Sequence, residues 1–542
     1  MTYRTFTKCF STLVLVPVCL TILLAGWAIG EDYFLRAGVT VIPAHTFDNP
    51  KPITMWGFGR CFGTTADVAF ANHSSVFANC SSVQVPGPTL TATAGQTLNI
   101  TVMNDLNGRY KEPVSLVVPG LLKAMAPAWI DPVAKPFNPS APTVATGSRP
   151  APVNPADQND AAYRYRVRSF DAEARLQGDR QIYTWVAANV KEGTYLYQSG
   201  THPSVQVQMG LYGPLVVYPG AGQVFGAPGS AYGVTTPVTP TQNPRAATPY
   251  ATEAVLLYSE IDPALHDAIA TGHYGPVPPI INPQANWKTS TADYTPRYFL
   301  INGHPFGPKS PVIPAGNLGD TVLLRFLNAG LQTKVPTLQD TFNIIQTPPT
   351  PPTNLPANIP YMTILAEDGN PVPWLKQQYS VLLTAGKTMD AVISTTSTVS
   401  TGATGANIAI YDRRLSLTNS PLSPGGQLTY LNVGAVPAVN IFPTFLNFGS
   451  VRLYSPVQLI VTVKNNGLQN LLVSNAAPQG PNAAEFKTNT SAALGTIAPG
   501  QSASITVYFT PTAEGAKSAT LHIVSSDKNQ PTIDIPIFAA GI

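Results

Sequence analysis

The feature that most constrains this chain is a repeat. Gly95-Gln96-Thr97 leads into Leu98, Ile100 and Val102, which alternate with Asn99, Thr101 and Met103 and end on Asn104. Gly319-Asp320-Thr321 leads into a second apolar stretch that closes on Asn328, 224 residues further on. Alternation with period two is the mark of a half-buried strand, and a repeat at this distance predicts two copies of one β-sandwich. The chain has 542 residues, too many for one ordinary core, so a third unit is expected. Only 11% of residues are charged, and 42 Gly and 54 Pro punctuate the chain. That composition suits short strands and turns, not helix bundles.

Residues 10–29 are apolar and follow Arg4 and Lys8, which reads as an export signal or a retained N-terminal anchor. Without residues 1–30 the balance is 29 Lys+Arg to 28 Asp+Glu, which excludes nucleic acid as an expected partner. Membrane contact is expected only through an uncleaved N-terminal segment. Cys9 and Cys19 lie in that segment, leaving Cys61 and Cys80. Two cysteines in an oxidising compartment most simply form one disulfide. The expected location is periplasmic, cell-surface or extracellular.

The stretch Gly193 to Val217, GTYLYQSGTHPSVQVQMGLYGPLVV, reads as strand, loop and strand. It resembles the end of the first cupredoxin domain of a multicopper oxidase, where the family writes G-T-Y-W-Y-H-S-H-T. Pro86-Gly87-Pro88-Thr89-Leu90 and Asn104-Asp105-Leu106 extend the resemblance. Glu260-Ile261-Asp262-Pro263, Ile301-Asn302-Gly303, Ala366-Glu367-Asp368-Gly369 and Tyr411-Asp412-Arg413-Arg414 resemble the second domain. The likeness covers about two thirds of the chain.

The resemblance also locates what is missing. The family's H-S-H step falls on Gln198-Ser199-Gly200, and its H-W-H step on Val117-Val118-Pro119. Val117, Pro119, Gln198 and Gly200 thus stand at ligand positions. Filling them with Val, Pro and Gly implies a site emptied of buried polar groups. The chain has seven histidines, none in an H-x-H pair, and no H-C-H motif of the kind blue copper requires. His202 is a weak candidate for a displaced ligand, and His73 with Cys61 and Cys80 a weaker metal set. His266, His273, His304 and His522 read as structural. Ser199 and Ser310 lack a nucleophile-elbow frame, and Asp368-Gly369 reads as a turn. Asn72, Asn79, Asn99 and Asn489 head N-x-S/T sequons.

The last hundred residues change character. Val457, Leu459, Val461 and Val463 alternate with Gln458, Ile460, Thr462 and Lys464, and Ile505 to Phe509 repeats the pattern. This is a small antiparallel sandwich of about seven strands. It resembles the immunoglobulin-like domains of the ASPM/SPD-2/Hydin type.

The expected fold is all-β: two cupredoxin-like Greek-key sandwiches, 31–220 and 250–420, then an immunoglobulin-like sandwich, 438–542. Linkers are expected at 221–249 and 421–437, and residues 31–53 read as an irregular lead-in. The resemblance implies a copper-free, non-enzymatic scaffold without cofactor, binding an envelope or extracellular protein through its C-terminal domain. The alternative is a divergent copper-binding oxidoreductase with His202, His73, Met, carboxylate or partner-supplied ligands.

Overall fold

The computed structural model describes residues 31–43, 51–62, 76–78, 80–106, 112–130, 145–147, 165–220, 223, 225, 228–233, 248–274, 288, 290–306, 313–316, 320–340, 362–394, 406–417, 425–433, 437, 439–443, 445–465, 467, 469–489, 495–498, 500–527 and 530–542. Residues 1–30, expected as an export signal or anchor, and His45, His73 and Ser310 therefore lie outside the described residues, as does most of 131–164.

In the first sandwich one sheet runs Ile53–Cys61, Glu31–Ile42, Leu98–Asn104, Arg180–Trp185. Facing it are Leu90–Thr93, Tyr212–Tyr218 and Gly193–Gln198. Leu35, Trp56, Phe58, Ile100, Tyr183, Trp185, Tyr197 and Leu215 fill the space between. The expected irregular lead-in is thus mostly a strand at the centre of a sheet. Glu31–Ile42 pairs antiparallel with Ile53–Cys61 and parallel with Leu98–Asn104. Its clean alternation is lost because both faces are covered. Leu35 and Ala37 enter the core, while Phe34 packs with Cys61, Val76 and Phe77 outside it. Cys61 and Cys80 are disulfide-bonded across 19 residues, a closure worth about 3 kcal/mol in the chain-entropy account.

The second sandwich repeats the plan. Tyr298–Ile301, Thr252–Ile261, Thr321–Asn328 and Thr388–Ser394 lie in the order and directions of the first sheet, extended by Met362–Glu367 and Asn370–Gln378. The facing sheet runs Ile313–Pro314, Leu428–Val433, Ala406–Asp412, Pro336–Asp340, again with one parallel pair. Leu428–Val433 corrects the expected linker at 421–437: the second sandwich continues through residue 433. The expected linker at 221–249 holds Gly229–Ala231 paired with Thr248–Tyr250, and Ala231, Tyr232 and Tyr250 pack with Leu323 and Leu365.

Among the described residues two short helices interrupt the strands, Pro203–Met209 and Pro263–Thr271. The second has the sequence signs of a helix start, Asp262 then Pro263, and Asp262 Oδ1 accepts from the amides of Ala264 and Leu265. The first sits in what reads as a loop. Burial of Val205 through Met209 holds it, although Pro203, Ser204, Val205 and Val207 are weak helix formers and only seven residues take part.

The third sandwich pairs a four-stranded sheet with a five-stranded one around Val461, Ile505, Phe509, Ile523 and Ile537. Asn465 ends one of its strands as Asn104 and Asn328 end theirs. In each case Oδ1 accepts from the amide two residues on, at 3.0, 2.9 and 2.9 Å for Asn104, Asn328 and Asn465. Nδ2 donates to two carbonyls: Glu112 and Ala174, Gln332 and Leu383, Gln469 and Ile497. One side chain thus ties the strand end to the following loop and to a more distant segment in all three units.

The units are packed together. Ile53 and Met55 of the first meet Ile261, Tyr298 and Leu300 of the second. Leu196, Val207 and Tyr212 meet Leu257, Leu327 and Ala329. Phe62 of the first stacks on Phe538 of the third, centroids 4.3 Å apart, with Phe445 at 4.7 Å.

Candidate functional site

The site to examine is the place where the sequence resemblance puts copper ligands. Val117 and Gln198 exchange backbone hydrogen bonds, both 2.9 Å, so two segments 81 residues apart meet as expected. Gly200 lies against them. A Cβ there would stand 2.8 Å from Val117 Cγ1 and 2.9 Å from Ser115 Oγ, closer than side chains pack. Glycine is required by this approach, and a histidine at 200 has no room. Pro119 is exposed and takes no part in the cluster. Three of the four positions therefore come together.

The space is not apolar, which corrects the expectation of a site emptied of polar groups. Three buried hydroxyls form a triangle: Ser169 Oγ donates to Ser115 Oγ at 2.8 Å, and Thr201 Oγ1 lies 3.0 Å from each. Thr201 Oγ1 also reaches Glu173 Oε1 at 3.2 Å. Glu173 is held by Arg168 in a buried ion pair of 2.5 Å. Beside them Ser199 Oγ donates to Gln206 Oε1 at 2.6 Å. Gln206 Nε2 donates to Glu112 Oε2 at 2.8 Å and to the Pro113 carbonyl at 2.9 Å. Each group satisfies its neighbour, which is what burial of polar atoms demands. Ser199 is spent on this network and has no base beside it.

His202 stands at the rim with φ of 37°, ahead of the helix Pro203–Met209. Its Nδ1 is 3.6 Å from Glu112 Oε2, an oxygen already bound by Gln206. Among the described residues no three His, Cys, Asp or Glu side chains are placed to hold a metal ion. The residues present do not fit copper: Val117, Pro119 and Gly200 carry no side-chain donor, Gln198 offers a single amide oxygen, and the hydroxyls and carboxylates around them are engaged with one another. The other described histidines have local roles. His266 is buried, its Nδ1 2.7 Å from the Thr54 carbonyl of the first sandwich, and burial lowers its pKa. His273 Nδ1 meets Thr271 Oγ1 at 3.0 Å, His522 Nδ1 meets Asp534 at 2.6 Å, and burial lowers the pKa of His304. Asp368 and Gly369, with φ of 50° and 70°, form a turn.

Sequence reasoning missed Ser115, Ser169, Thr201, Gln206, Arg168 and Glu173. The only available signal was adjacency: Ser115 and Thr201 flank the altered ligand steps.

Residues 436–542 match the family described as Cep192 domain 4. Comparison with curated protein sequences returns no match. Among solved structures, the chain is similar to a blue copper oxidase from Nitrosomonas europaea at 16% identity, covering 74% of this chain and 85% of that one, with a TM-score of 0.41. It is similar to a laccase from Botrytis aclada at 12% identity, covering 93% and 87%, TM-score 0.41. It is also similar to a copper nitrite reductase from Nitrosomonas europaea at 17% identity, covering 74% and 94%, TM-score 0.39. The architecture is all-β, two cupredoxin-like sandwiches followed by an immunoglobulin-like one.

Proposed function

We propose that the protein is an exported, copper-free relative of multicopper oxidases that works as a non-enzymatic scaffold. The observation that carries this reading is the contact of Gly200 with Val117, which closes the ligand position sterically while the hydroxyl network closes it chemically. Metal affinity depends on ligand number and geometry, and both are lacking there. The test is elemental analysis after dialysis, with anaerobic copper titration and oxygen uptake on phenols. No stoichiometric copper, no blue absorption and no oxygen consumption are expected. About one or more tightly held copper ions per chain would overturn the reading.

The C-terminal sandwich is the proposed contact with an envelope or extracellular protein. It has its own core, and it exposes Phe442 at the end of an edge strand, Tyr454 in a loop and Ile460 on an outer sheet face, positions suited to such contact. Cross-linking of the full chain in its native host should map partner links to residues 438–542. Links confined to the first two sandwiches would refute that assignment. Among the described residues no helix is long and apolar enough to cross a membrane.

A further inference from the structure

The second sandwich ends in three loops laced to one another. Asn328 Nδ2 donates to the carbonyls of Gln332 (2.8 Å) and Leu383 (3.0 Å). Lys334 and Leu383 exchange two backbone bonds of 2.9 Å. The Arg413 amide donates to the Val335 carbonyl, and Arg414 Nη1 to that of Thr333 at 2.8 Å. Arg413 Nη1 donates to Tyr379 Oη at 3.0 Å. Loops 329–335, 379–387 and 413–417 therefore present one surface.

Four large apolar or aromatic side chains stand out from it. Leu331 is 42% exposed, Tyr379 43%, Leu382 60% and Leu415 68%. Leu415 is held at φ of +64°, a left-handed conformation unfavourable for its side chain. Arg413 and Arg414 are exposed among these leucines, and neither forms an ion pair among the described residues. The adjacent acid, Asp412, is buried, with Oδ1 accepting from the amides of Val335 and Arg414. An uncompensated pair of guanidiniums set among protruding leucines complements a surface with anionic groups above a hydrocarbon layer.

We propose that this loop surface docks on a bilayer bearing anionic headgroups. Leu331, Leu382 and Leu415 enter the acyl boundary, and Arg413 and Arg414 meet phosphates. Separate leucines on three loop tips need no matching pocket, as acyl chains have no fixed shape. A protein partner would demand one, and protein hot spots under-represent Leu. The net charge of the chain averages this local charge away. The proposal is independent of the copper reading.

The test replaces Cys9 and Cys19 by Ser in the full chain, so that Leu415→Cys is the one free thiol beside the Cys61–Cys80 disulfide, and labels it with an environment-sensitive fluorophore. A label at the exposed Thr512 of the third sandwich serves as control. The readout is local, so it reports loop insertion whether or not residues 1–30 hold the chain to the membrane. Phosphatidylglycerol vesicles should brighten and blue-shift the Leu415 label and leave the Thr512 label unchanged. Leu331→Asp with Leu382→Asp should abolish the change. Arg413→Gln with Arg414→Gln should lower partitioning roughly 30-fold, about five-fold per charge, and Arg413→Lys with Arg414→Lys should restore it. No response at Leu415 with anionic vesicles overturns the proposal. An equal response on phosphatidylcholine alone, unaltered in the Gln variant, overturns the role of the arginines. Shielding of the label by a protein fraction and not by vesicles overturns it in favour of a protein partner.

Discussion

Among the described residues, the junction of the first sandwich with the second and its junction with the third each hold a buried arginine, and the two are built in opposite ways. Between the first and second, Arg325 Nε donates to Glu253 Oε2 at 2.5 Å and Nη1 to Thr194 Oγ1 at 2.9 Å, with Asp390 Oδ1 at 3.6 Å. Thr194 and Tyr232 donate in turn to Asp390, and Tyr218 donates to Glu253 at 2.6 Å. Burial works against the charge of Arg325, but Glu253 and Asp390 outweigh it and raise its pKa. Between the first and third, Arg60 faces rings. Its guanidinium lies 4.3 Å from the Phe445 centroid and 4.8 Å from that of Tyr33. Burial lowers its pKa, against the pull of Tyr33 and Tyr197. At the first junction a buried ion network of the second sandwich takes hydrogen bonds from Thr194 and Tyr218 of the first, so parting the two leaves carboxylates short of donors; the second junction parts without touching a buried carboxylate. The pair of cupredoxin-like sandwiches is one body, and the immunoglobulin-like sandwich is seamed onto it.

The strongest attempt to break this contrast is Arg325→Met. It leaves Glu253 and Asp390 buried without their cation, and about 3–5 kcal/mol of stability should be lost in denaturant unfolding. A loss below about 1 kcal/mol would place Arg325 with exposed ion pairs and end the comparison. A smaller effect is expected from Arg60→Ala, about 2 kcal/mol for a desolvated cation held by aromatic faces. It should appear as looser attachment of residues 438–542 in small-angle scattering and limited proteolysis, with the melting of the first two sandwiches unchanged. A common drop in melting of all three units would show that the seam is not separable.

The smallest effect sharpens the first junction through pH. His266 joins the helix Pro263–Thr271 to the Thr54 carbonyl across that junction. Its folded pKa lies below the ordinary 6.5, chiefly through desolvation. Protons therefore bind the unfolded chain better. The contribution is complete above that ordinary value and is lost as pH falls through it toward the folded one. The melting temperature should fall between about pH 7.5 and about pH 5.5 more steeply in the native chain than in His266→Gln. Parallel profiles would remove His266 from the junction's balance.

What was legible in the sequence was local. The strand closing on Asn104 and its copy closing on Asn328 announced themselves by period and spacing. The immunoglobulin-like end announced itself by alternation, and the vacancy of histidines at 117, 119, 198 and 200 was visible by resemblance. Glu31–Ile42 was hidden because burial on both faces removes the alternation that marks a strand. The triangle of Ser115, Ser169 and Thr201 draws on three segments, and hydroxyls carry no spacing rule. Arg325 with Asp390 and Thr194 spans both sandwiches, so no window of sequence contains it.

The asparagine bracket makes loop length a tolerated variable. Its first bond always reaches the amide two residues on, but the nearer carbonyl is eight residues away for Asn104 and four for Asn328 and Asn465. The same amide therefore seals strand ends followed by loops of different size, in two different folds. A peptide grafted between Leu106 and Glu112 would leave that seal in place, since both partners of Asn104 on this loop lie outside the graft. The three brackets give one chain three addressable display positions, one on each sandwich.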